Sequence, residues 1–257
     1  IECSAMSMKY LSEHFDIHAG GIDLIFPHHE NEIAQSEASA KKKFVNYWFH
    51  NEHLLVDGHK MSKSLGNFYT LRDLLNKNYK QKAIRHLLLS ANYRQQLNFT
   101  EEGITASDNA VQRLQDFIIK LNEIKNDSRN KEIEKIINKT KKQFEEAMDD
   151  DLNISVALSH IFDFVKQVNT LMMNNKIGKR DAQEIINLMM NFDKVLGILQ
   201  EKEEKLKPEL KKLIDEREKA RKEKNFAKAD KIREDLERKG VILEDTKEGV
   251  RWKRVKG

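Results

Sequence analysis

The sequence contains a single cysteine, only 2 prolines and no long apolar run. One cysteine excludes a disulfide within the chain and suits the reducing environment of the cytoplasm. No segment approaches the ~20 apolar residues that a membrane helix needs, and no signal-peptide pattern opens the chain. With few prolines to interrupt helices and 34% charged residues, the composition predicts a soluble, mostly helical protein that does not associate with membranes.

The net charge of +4 is distributed unevenly along the 257 residues. Residues 201–257 contain 20 Lys or Arg and 15 Asp or Glu, whereas residues 1–200 contain 26 and 27. This positive excess favours an anionic partner for the C-terminal part of the chain. The alternative is a solvated helix surface, since charges of both signs are common there.

Hydrophobic patterns divide the chain into an α/β part and a helical part. Short apolar runs predict strands near residues 15–18 and 54–56, with a helix at about 29–42 between them, as in a parallel α/β sheet. Ligand loops in such sheets lie at the carboxyl ends of strands, where residues 18–21 and 57–67 fall. Helical periodicity then predicts helices at about 81–92, 101–125, 131–148, 154–174, 179–199, 208–222 and 226–239. The C-terminal residues then predict a short pair of strands.

Residues 60–64 read Lys-Met-Ser-Lys-Ser and are followed by Leu-Gly-Asn at 65–67. Two ammonium groups three positions apart, with small hydroxyls and a nearby glycine, suit a mobile loop that clamps a polyphosphate. The alternative is an exposed polar turn between a strand and a helix, because short motifs often occur by chance.

Cys3, His28 and Glu32 form a second candidate group. His28 and Glu32 are four positions apart, and Pro27 suits the first turn of a helix, so the imidazole and the carboxylate would project from one face. A thiolate from Cys3 would complete three ligands of the kinds that Zn²⁺ accepts. Alternatively, Cys3 is a small buried apolar residue and the His–Glu pair only caps or solvates a helix.

Several segments resemble, in order along the chain, the motifs of cysteinyl-tRNA synthetases, which are class I aminoacyl-tRNA synthetases. Residues 60–67 look like the nucleotide signature loop of that class. The matching segments are residues 1–6, 15–24, 26–32, 60–67, 93–99, 150–153 and 243–252.

The resemblance implies a catalytic zinc ion, one per chain, held by Cys3, His28 and Glu32. The family's remaining cysteine ligand and its His-x-Gly-His nucleotide signature are absent from the sequence. The chain also begins at Ile1 rather than at a methionine. We therefore expect a fragment, or the visible part, of a longer protein that is inactive by itself.

The resemblance also implies two reaction steps. Cysteine and ATP, the latter with Mg²⁺, give cysteinyl-adenylate and pyrophosphate, and the 3′-terminal ribose of tRNA then attacks the adenylate. Lys63 is the expected transition-state cation, and Lys60 supports its loop. Zinc would select the thiolate of cysteine over the hydroxyl of serine, which shape alone discriminates poorly.

Further pocket residues follow from the same resemblance. Gly20 and Gly21 would let the backbone approach the adenylate, and Asp23 would accept a hydrogen bond from ribose or adenine. His18 and His29 line the substrate pocket, or make structural hydrogen bonds.

The implied fold is the α/β second half of a Rossmann-type catalytic domain, followed by an all-α helical bundle and a small C-terminal α+β subdomain. The expected boundaries are 1–69 for the catalytic half with the zinc site, 70–100 for a stem-contact connector, 101–200 for the tRNA-binding bundle and 201–257 for the anticodon-binding subdomain.

The expected partners are tRNA(Cys), L-cysteine and ATP, and the expected form is a cytoplasmic monomer. Unpaired anticodon bases are read by stacking and by hydrogen bonds to their edges. The candidates for this role are Arg221, Phe226, Asp230 and Asp245, although Phe226 and Trp252 could instead form the small core of the subdomain. Residues 94–96 contact the acceptor stem or, as we favour, cap a helix.

Two other functions remain open from the sequence. One is a ligase that joins cysteine to an amino-sugar, as in the related mycothiol ligase, although that reaction needs no anticodon-reading tail. The other is a non-catalytic fragment that binds tRNA.

Overall fold

The computed structural model describes residues 1–199, 208–223, 225–246 and 249–254. The chain forms two compact units, residues 1–200 and 201–257. The helices and strands are, in order, α1 (Glu2–Tyr10), β1 (Phe15–Gly21), α2 (Glu30–Ala40), β2 (Val45–Asn51), β3 (Leu54–Val56), β4 (His59–Lys60), α3 (Leu71–Asn76), α4 (Gln81–Leu89), β5 (Leu97–Phe99), α5 (Glu101–Asn122), α6 (Lys131–Asp149), α7 (Ile154–Met173), α8 (Lys179–Leu196), α9 (Pro208–Lys222), α10 (Phe226–Arg238), β6 (Val241–Thr246) and β7 (Gly249–Arg254).

The first sheet of unit 1 consists of β1 and β2, which pair in parallel with α2 as their connection. Helix α2 begins at Glu30, later than Pro27, which lies in a separate wide helical turn (Ile25–His29). Phe26 in that turn has the extended conformation, with φ −133° and ψ 133°. A residue that precedes proline avoids the helical conformation for steric reasons, so the regular helix starts only after the turn.

A second, mixed sheet lies next along the chain. Strand β3 pairs in parallel with β5 and antiparallel with β4. Its apolar side chains share a core with α3, α4 and the start of α5. The buried members of this core are Val56, Leu74, Ala83, Ile84, Leu87, Phe99 and Ile104.

Helices α5 to α8 form a bundle around the largest core of the molecule. Polar side chains cap the amino ends of three helices: Thr100 accepts from the backbone N–H of Gly103, and Asn130 and Asn153 cap α6 and α7 in the same way. The fully buried side chains at the centre include Leu114, Phe117, Leu121, Ile133, Ile161 and Ile185.

The carboxyl end of α8 is capped by side chains from α4. Lys82 Nζ donates to the carbonyl of Gly197 at 2.8 Å, and the guanidinium of Arg85 donates to the carbonyls of Leu196 and Val195. Gly197 adopts the left-handed conformation with φ 61°, which ends the helix. These cations satisfy carbonyls that have no partner within the helix.

Unit 2 contains α9, α10 and an antiparallel pair of strands, β6 and β7. Its core is small and apolar, with buried Leu210, Ile214, Ile232, Leu236, Val241 and Leu243. Phe226 does not belong to this core, since it is 59% exposed. Among the described residues, none of the helices has the combination of length and apolar character that crossing a membrane requires.

Candidate metal centre and nucleotide loop

The three residues proposed as metal ligands lie together. One donor atom from each of Cys3, His28 and Glu32 lies within 4.8 Å of the other two. Cys3 comes from α1, His28 from the turn before α2, and Glu32 from the first turn of α2. Helix α1 packs against α2, which places the thiol beside the carboxylate despite the separation in sequence. A thiolate, an imidazole and a carboxylate at this spacing suit Zn²⁺.

The carboxylate of Glu32 is the most unusual group in this cluster. Glu32 is 2% exposed, and neither carboxylate oxygen accepts a hydrogen bond from the described residues. Its Oε2 atom lies 3.2 Å from Nε2 of His18, 3.7 Å from Nε2 of His28 and 3.8 Å from Nε2 of His29. A buried carboxylate that accepts no hydrogen bond is costly, so this arrangement fits a bound cation.

His18, His29 and Glu32 form a second group with donor atoms within 4.8 Å of one another. The two imidazole rings lie edge to face, with centroids 5.0 Å apart. Burial, and next the neighbouring imidazoles of His18, His50 and His28, lower the pKa of His29 from 6.5 to about 4. His29 is therefore neutral at pH 7 and keeps a nitrogen lone pair. Both histidines predicted to line the pocket thus lie against the Glu32 carboxylate.

The structure adds Trp48 and His50 to the cluster. Both lie on β2, two positions apart, so their side chains point to the same face of the sheet. The Trp48 ring centroid is 4.8 Å from that of His18 and 4.9 Å from that of His29. Nε2 of His50 is 2.7 Å from Nδ1 of His29. In the sequence, the two-residue spacing of Trp48 and His50, which is typical of one face of a strand, is the only signal that could have indicated these two residues.

Gly20 has a packing role at this site. A Cβ atom at Gly20 would lie 2.7 Å from Cε1 of His29 and 2.9 Å from Cδ1 of Leu24. The absence of a side chain therefore makes room for the His29 ring. Gly21 ends β1, and Asp23 lies exposed in the short helical turn Ile22–Leu24 that follows. Contact of these three residues with an adenylate stays a prediction.

The loop at residues 60–67 is held at its two ends by Asn67. Its Oδ1 accepts from the backbone N–H of Ser62 at 2.8 Å, and its Nδ2 donates to the carbonyl of Lys60 at 3.1 Å. Ser62 Oγ also accepts from the N–H of Leu65 at 3.2 Å. Lys60 and Lys63 are both exposed, so their ammonium groups are accessible to a polyphosphate. The sequence prediction did not include Asn67 among the site residues.

Three of the four anticodon candidates have described side chains. Arg221 lies on α9, and Phe226 and Asp230 lie four positions apart on α10; all three are exposed. Exposure of Phe226 argues against the alternative that it forms the core. Asp245 and Trp252 belong to β6 and β7, but their side chains lie outside the part of the chain that the structure describes.

Arg94 does not cap a helix, contrary to the favoured prediction. Residues 94–96 lie in the segment between α4 and β5, and the Arg94 guanidinium donates to the carboxylate of Asp151 in the α6–α7 turn. The physical reason is that this segment runs beside the turn, which offers a carboxylate, whereas a helix end offers only partial charges.

Three family models match successive parts of the chain. The class I (C) tRNA synthetase catalytic domain matches residues 1–110, the DALR domain matches residues 143–200, and the cysteinyl-tRNA ligase anticodon binding domain matches residues 203–252. The domain boundaries after residues 69, 100 and 200, which were proposed from the sequence, stay predictions.

Curated relatives match almost the whole chain. The cysteine–tRNA ligase of Protochlamydia amoebophila is 48% identical over 256 residues, which are 99% of this chain and 54% of that protein. The cysteine–tRNA ligase of Brachyspira hyodysenteriae is 49% identical over 265 residues, which cover 99% of this chain and 55% of that protein. The chain thus spans about half the length of these relatives.

The fold also resembles a solved structure. The LeuRS of Agrobacterium radiobacter K84, in a ternary complex with tRNA and LeuAMS, superimposes with a TM-score of 0.54 at 16% identity, over 70% of this chain and 26% of that one. The expected fold class, a Rossmann-type half followed by a helical bundle and a small α+β subdomain, is confirmed. The chain therefore belongs to the cysteinyl-tRNA synthetase family and corresponds to a C-terminal portion of its members.

Proposed function

We propose that this chain provides the cysteine-selecting and tRNA-binding portion of an enzyme that joins L-cysteine to tRNA(Cys). The observation that carries the proposal is the convergence of Cys3, His28 and Glu32 around one point, with the Glu32 carboxylate buried and accepting no hydrogen bond from the described residues. The names of the matching relatives support the same activity.

The proposed reaction has two steps. A carboxylate oxygen of cysteine attacks the α-phosphorus of ATP, supplied with Mg²⁺, and pyrophosphate leaves. A ribose hydroxyl at the 3′ end of tRNA then attacks the carbonyl carbon of the adenylate, and AMP leaves. Both steps depend mainly on positioning and on stabilising negative charge at the phosphates.

Selection of cysteine would take place at the ligand cluster. Zn²⁺ held by Cys3, His28 and Glu32 would bind the substrate as a thiolate, which the hydroxyl of serine cannot imitate at neutral pH. The neutral imidazole of His29 would enclose the substrate without adding a positive charge, because its pKa is lowered to about 4. His18 would orient the Glu32 carboxylate from 3.2 Å.

The loop at residues 60–67 would serve the nucleotide. Lys63 would contact the phosphates as negative charge develops, and Lys60 would support the loop. Asn67 would keep the two ends of the loop together while Lys63 moves, because its side chain, at one end, bonds the backbone of Lys60 and Ser62 at the other end. Gly20 and Gly21 end strand β1, Asp23 lies in the turn after it, and all three would contact the adenosine part.

The C-terminal unit would bind the anticodon. Its sequence carries the positive excess, and the exposed side chains of Arg221, Phe226 and Asp230 offer a cation, a stacking surface and an acceptor. The match to an anticodon binding domain favours tRNA over an amino-sugar as the acceptor. We further propose a monomeric enzyme of the cytoplasm, where Cys3 would stay reduced.

Cysteine-dependent exchange of labelled pyrophosphate into ATP tests this function. The full-length protein should catalyse exchange with cysteine. Serine should support exchange on the order of 10⁴-fold more weakly, because a site that binds the thiolate of cysteine rejects an analogue that lacks the sulfur. Comparable exchange with serine would contradict the proposed selectivity. Exchange without transfer to tRNA(Cys) would instead favour the cysteine:amino-sugar ligase. We also expect the 257-residue chain to be inactive alone and to retain tRNA binding.

A further inference from the structure

Two sequence motifs that are 57 residues apart meet at one carboxylate. The hydroxyl of Tyr93 donates to Oδ1 of Asp151 at 2.7 Å, and Nε of Arg94 donates to Oδ2 of the same residue. The Arg94 cation also lies over the Tyr93 ring, 5.1 Å from its centroid. The three side chains therefore form one closed set of contacts. None of them touches the metal cluster directly.

Asp151 is itself held in an unusual backbone conformation. Asp151 and Leu152 both adopt left-handed conformations, with φ values of 52° and 56°, which residues other than glycine rarely take. Two consecutive residues of this kind persist only where the surroundings define them well. Close to them, Ser155 Oγ in the first turn of α7 donates to the carbonyl of Ser90 at 3.0 Å, so the start of α7 is joined to the residue that ends α4.

Tyr93 in turn contacts Phe49 in strand β2 and Glu52 just after it, one on each side of His50. Its ring stacks on the ring of Phe49, with centroids 4.1 Å apart and planes inclined by 23°. Its carbonyl accepts a hydrogen bond from the backbone N–H of Glu52 at 2.8 Å. Phe49 and His50 point to opposite faces of the strand, so Tyr93 supports the face behind the pocket.

His50 lies between these two points of attachment, and its Nε2 is 2.7 Å from Nδ1 of His29. A hydrogen bond of this length tolerates only small displacements of the strand. The side chains of Trp48 and His50 share the pocket face, with parallel rings whose centroids are 6.1 Å apart. Any shift of the carboxyl end of β2 would therefore move the wall of the candidate amino-acid pocket.

We propose that Asp151 and Tyr93 are positioning residues for this pocket: they hold the carboxyl end of β2, and with it His50, against His29. The inference rests on the proposed function in one respect, namely that the cluster beside His29 binds cysteine. The helical bundle, through its α6–α7 turn, thus takes part in shaping the amino-acid site.

Tyr93→Phe tests the inference most sharply, because it removes the hydroxyl and keeps the stacked ring. In the full-length protein it should raise the KM for cysteine in pyrophosphate exchange about fivefold, the effect of one lost hydrogen bond, and leave the KM for ATP unchanged. Asp151→Asn, which can still accept from Tyr93, should raise the KM less than Asp151→Ala. The matched control is Asp108→Asn, which breaks another ion pair of unit 1, with Lys80 at 2.8 Å.

A second measurement does not depend on activity. In full-length protein labelled with ¹⁵N-histidine, Tyr93→Phe should shift the imidazole signals of His50 and His29, and Asp108→Asn should leave them in place. Lowered thermal stability with unchanged His50 signals and an unchanged KM for cysteine would show a merely structural contact and overturn the inference. If the unaltered protein shows no cysteine-dependent exchange, the proposed function fails, while the histidine signals still decide the positioning role.

Discussion

Nδ1 of His29 and Nε2 of His50 lie 2.7 Å apart, so one imidazole donates a hydrogen bond to the other. Since the pKa of His29 is lowered to about 4, its ring stays neutral at physiological pH. His29, whose Nε2 lies 3.8 Å from the buried Glu32 carboxylate, therefore gives that carboxylate a neutral neighbour and not a cation. We propose that a divalent ion balances the carboxylate charge.

Removal of the Glu32 carboxylate should weaken metal binding. We expect the full-length protein to hold one zinc ion per chain, and Glu32→Gln to lower the affinity at least about tenfold, since an amide is a poorer ligand than a carboxylate. Dialysis against a chelator followed by metal analysis measures this. The matched control is Glu30→Gln, an exposed carboxylate in the same helical turn. Equal zinc contents in the two variants would argue against the assigned ligand.

Loss of the Lys63 ammonium should affect the chemical step. Lys63→Ala in the full-length protein should lower the turnover number in pyrophosphate exchange on the order of 10²-fold, because a cation aimed at the developing phosphate charge is removed. The KM for cysteine should change by less than about twofold, and Lys60→Ala should have a smaller effect than Lys63→Ala.

Lys166→Ala, on the exposed face of α7, controls for the removal of one positive charge. Steady-state exchange kinetics at saturating ATP separate the turnover number from the KM for cysteine. A variant with normal turnover and a raised KM for cysteine would exclude the assigned role of Lys63.

His86 should make the stability of unit 1 depend on pH. The side chain is 7% exposed, neither ring nitrogen has a hydrogen-bond partner among the described residues, and burial lowers its pKa below 6.5. The unfolded chain therefore binds a proton below pH 6.5 that the folded chain resists, so the free energy of unfolding falls as the pH drops through this range.

His86→Leu removes this proton uptake, so its free energy of unfolding should fall less than that of the unaltered protein between pH 7.5 and pH 5.5. Urea denaturation at several pH values measures the difference. An unaltered pH dependence in the leucine variant would show that another group is responsible.

The exposed face of α10 should matter for tRNA and not for adenylate formation. Phe226→Ala should raise the KM for tRNA(Cys) about tenfold, the effect expected from loss of one stacked base, and Asp230→Ala should act in the same direction. Aminoacylation compared with pyrophosphate exchange distinguishes the steps. Glu234→Ala serves as control, because it removes an exposed carboxylate of the same helix that pairs with Arg238 at 3.6 Å. Parallel losses in both assays would indicate destabilisation instead.

Long helices were predictable from the sequence because their apolar stripes extend over several turns. The prediction for residues 154–174 differs from α7 only at its last residue, and α9 matches its prediction fully. The prediction of 179–199 extends three residues too far, since Gly197 takes the left-handed conformation and ends α8 at Leu196. Helix ends depend on such local geometry, which periodicity does not record.

Short elements were not predictable in the same way. Helix α1 carries serines and methionines without a clear apolar stripe, and β5 has only three residues. Strand β2 mixes aromatic and polar side chains on both faces, which hides its alternation. Short segments of this kind are stabilised by packing against neighbouring elements more than by the helix or strand propensity of their own residues.

The candidate site was predictable only in part. The resemblance to a known family indicated Cys3, His28 and Glu32, whereas their spacing alone favoured a buried cysteine and a solvated helix face. His50 and Trp48 could not be assigned, because the register that sets Gly20 opposite His50 depends on tertiary pairing. Sequence motifs therefore indicated the candidate ligands, and the fold was needed to find what surrounds them.

The cap that Lys82 and Arg85 place on α8 bears on how the protein can be dissected. A recombinant segment that starts at residue 101 would lack both donors and leave the last carbonyls of that helix to water. Such a segment should fray at its carboxyl end, close to where the chain continues toward unit 2. Limited proteolysis would then cleave it near Gly197, so a recombinant bundle with an intact α8 should include α4.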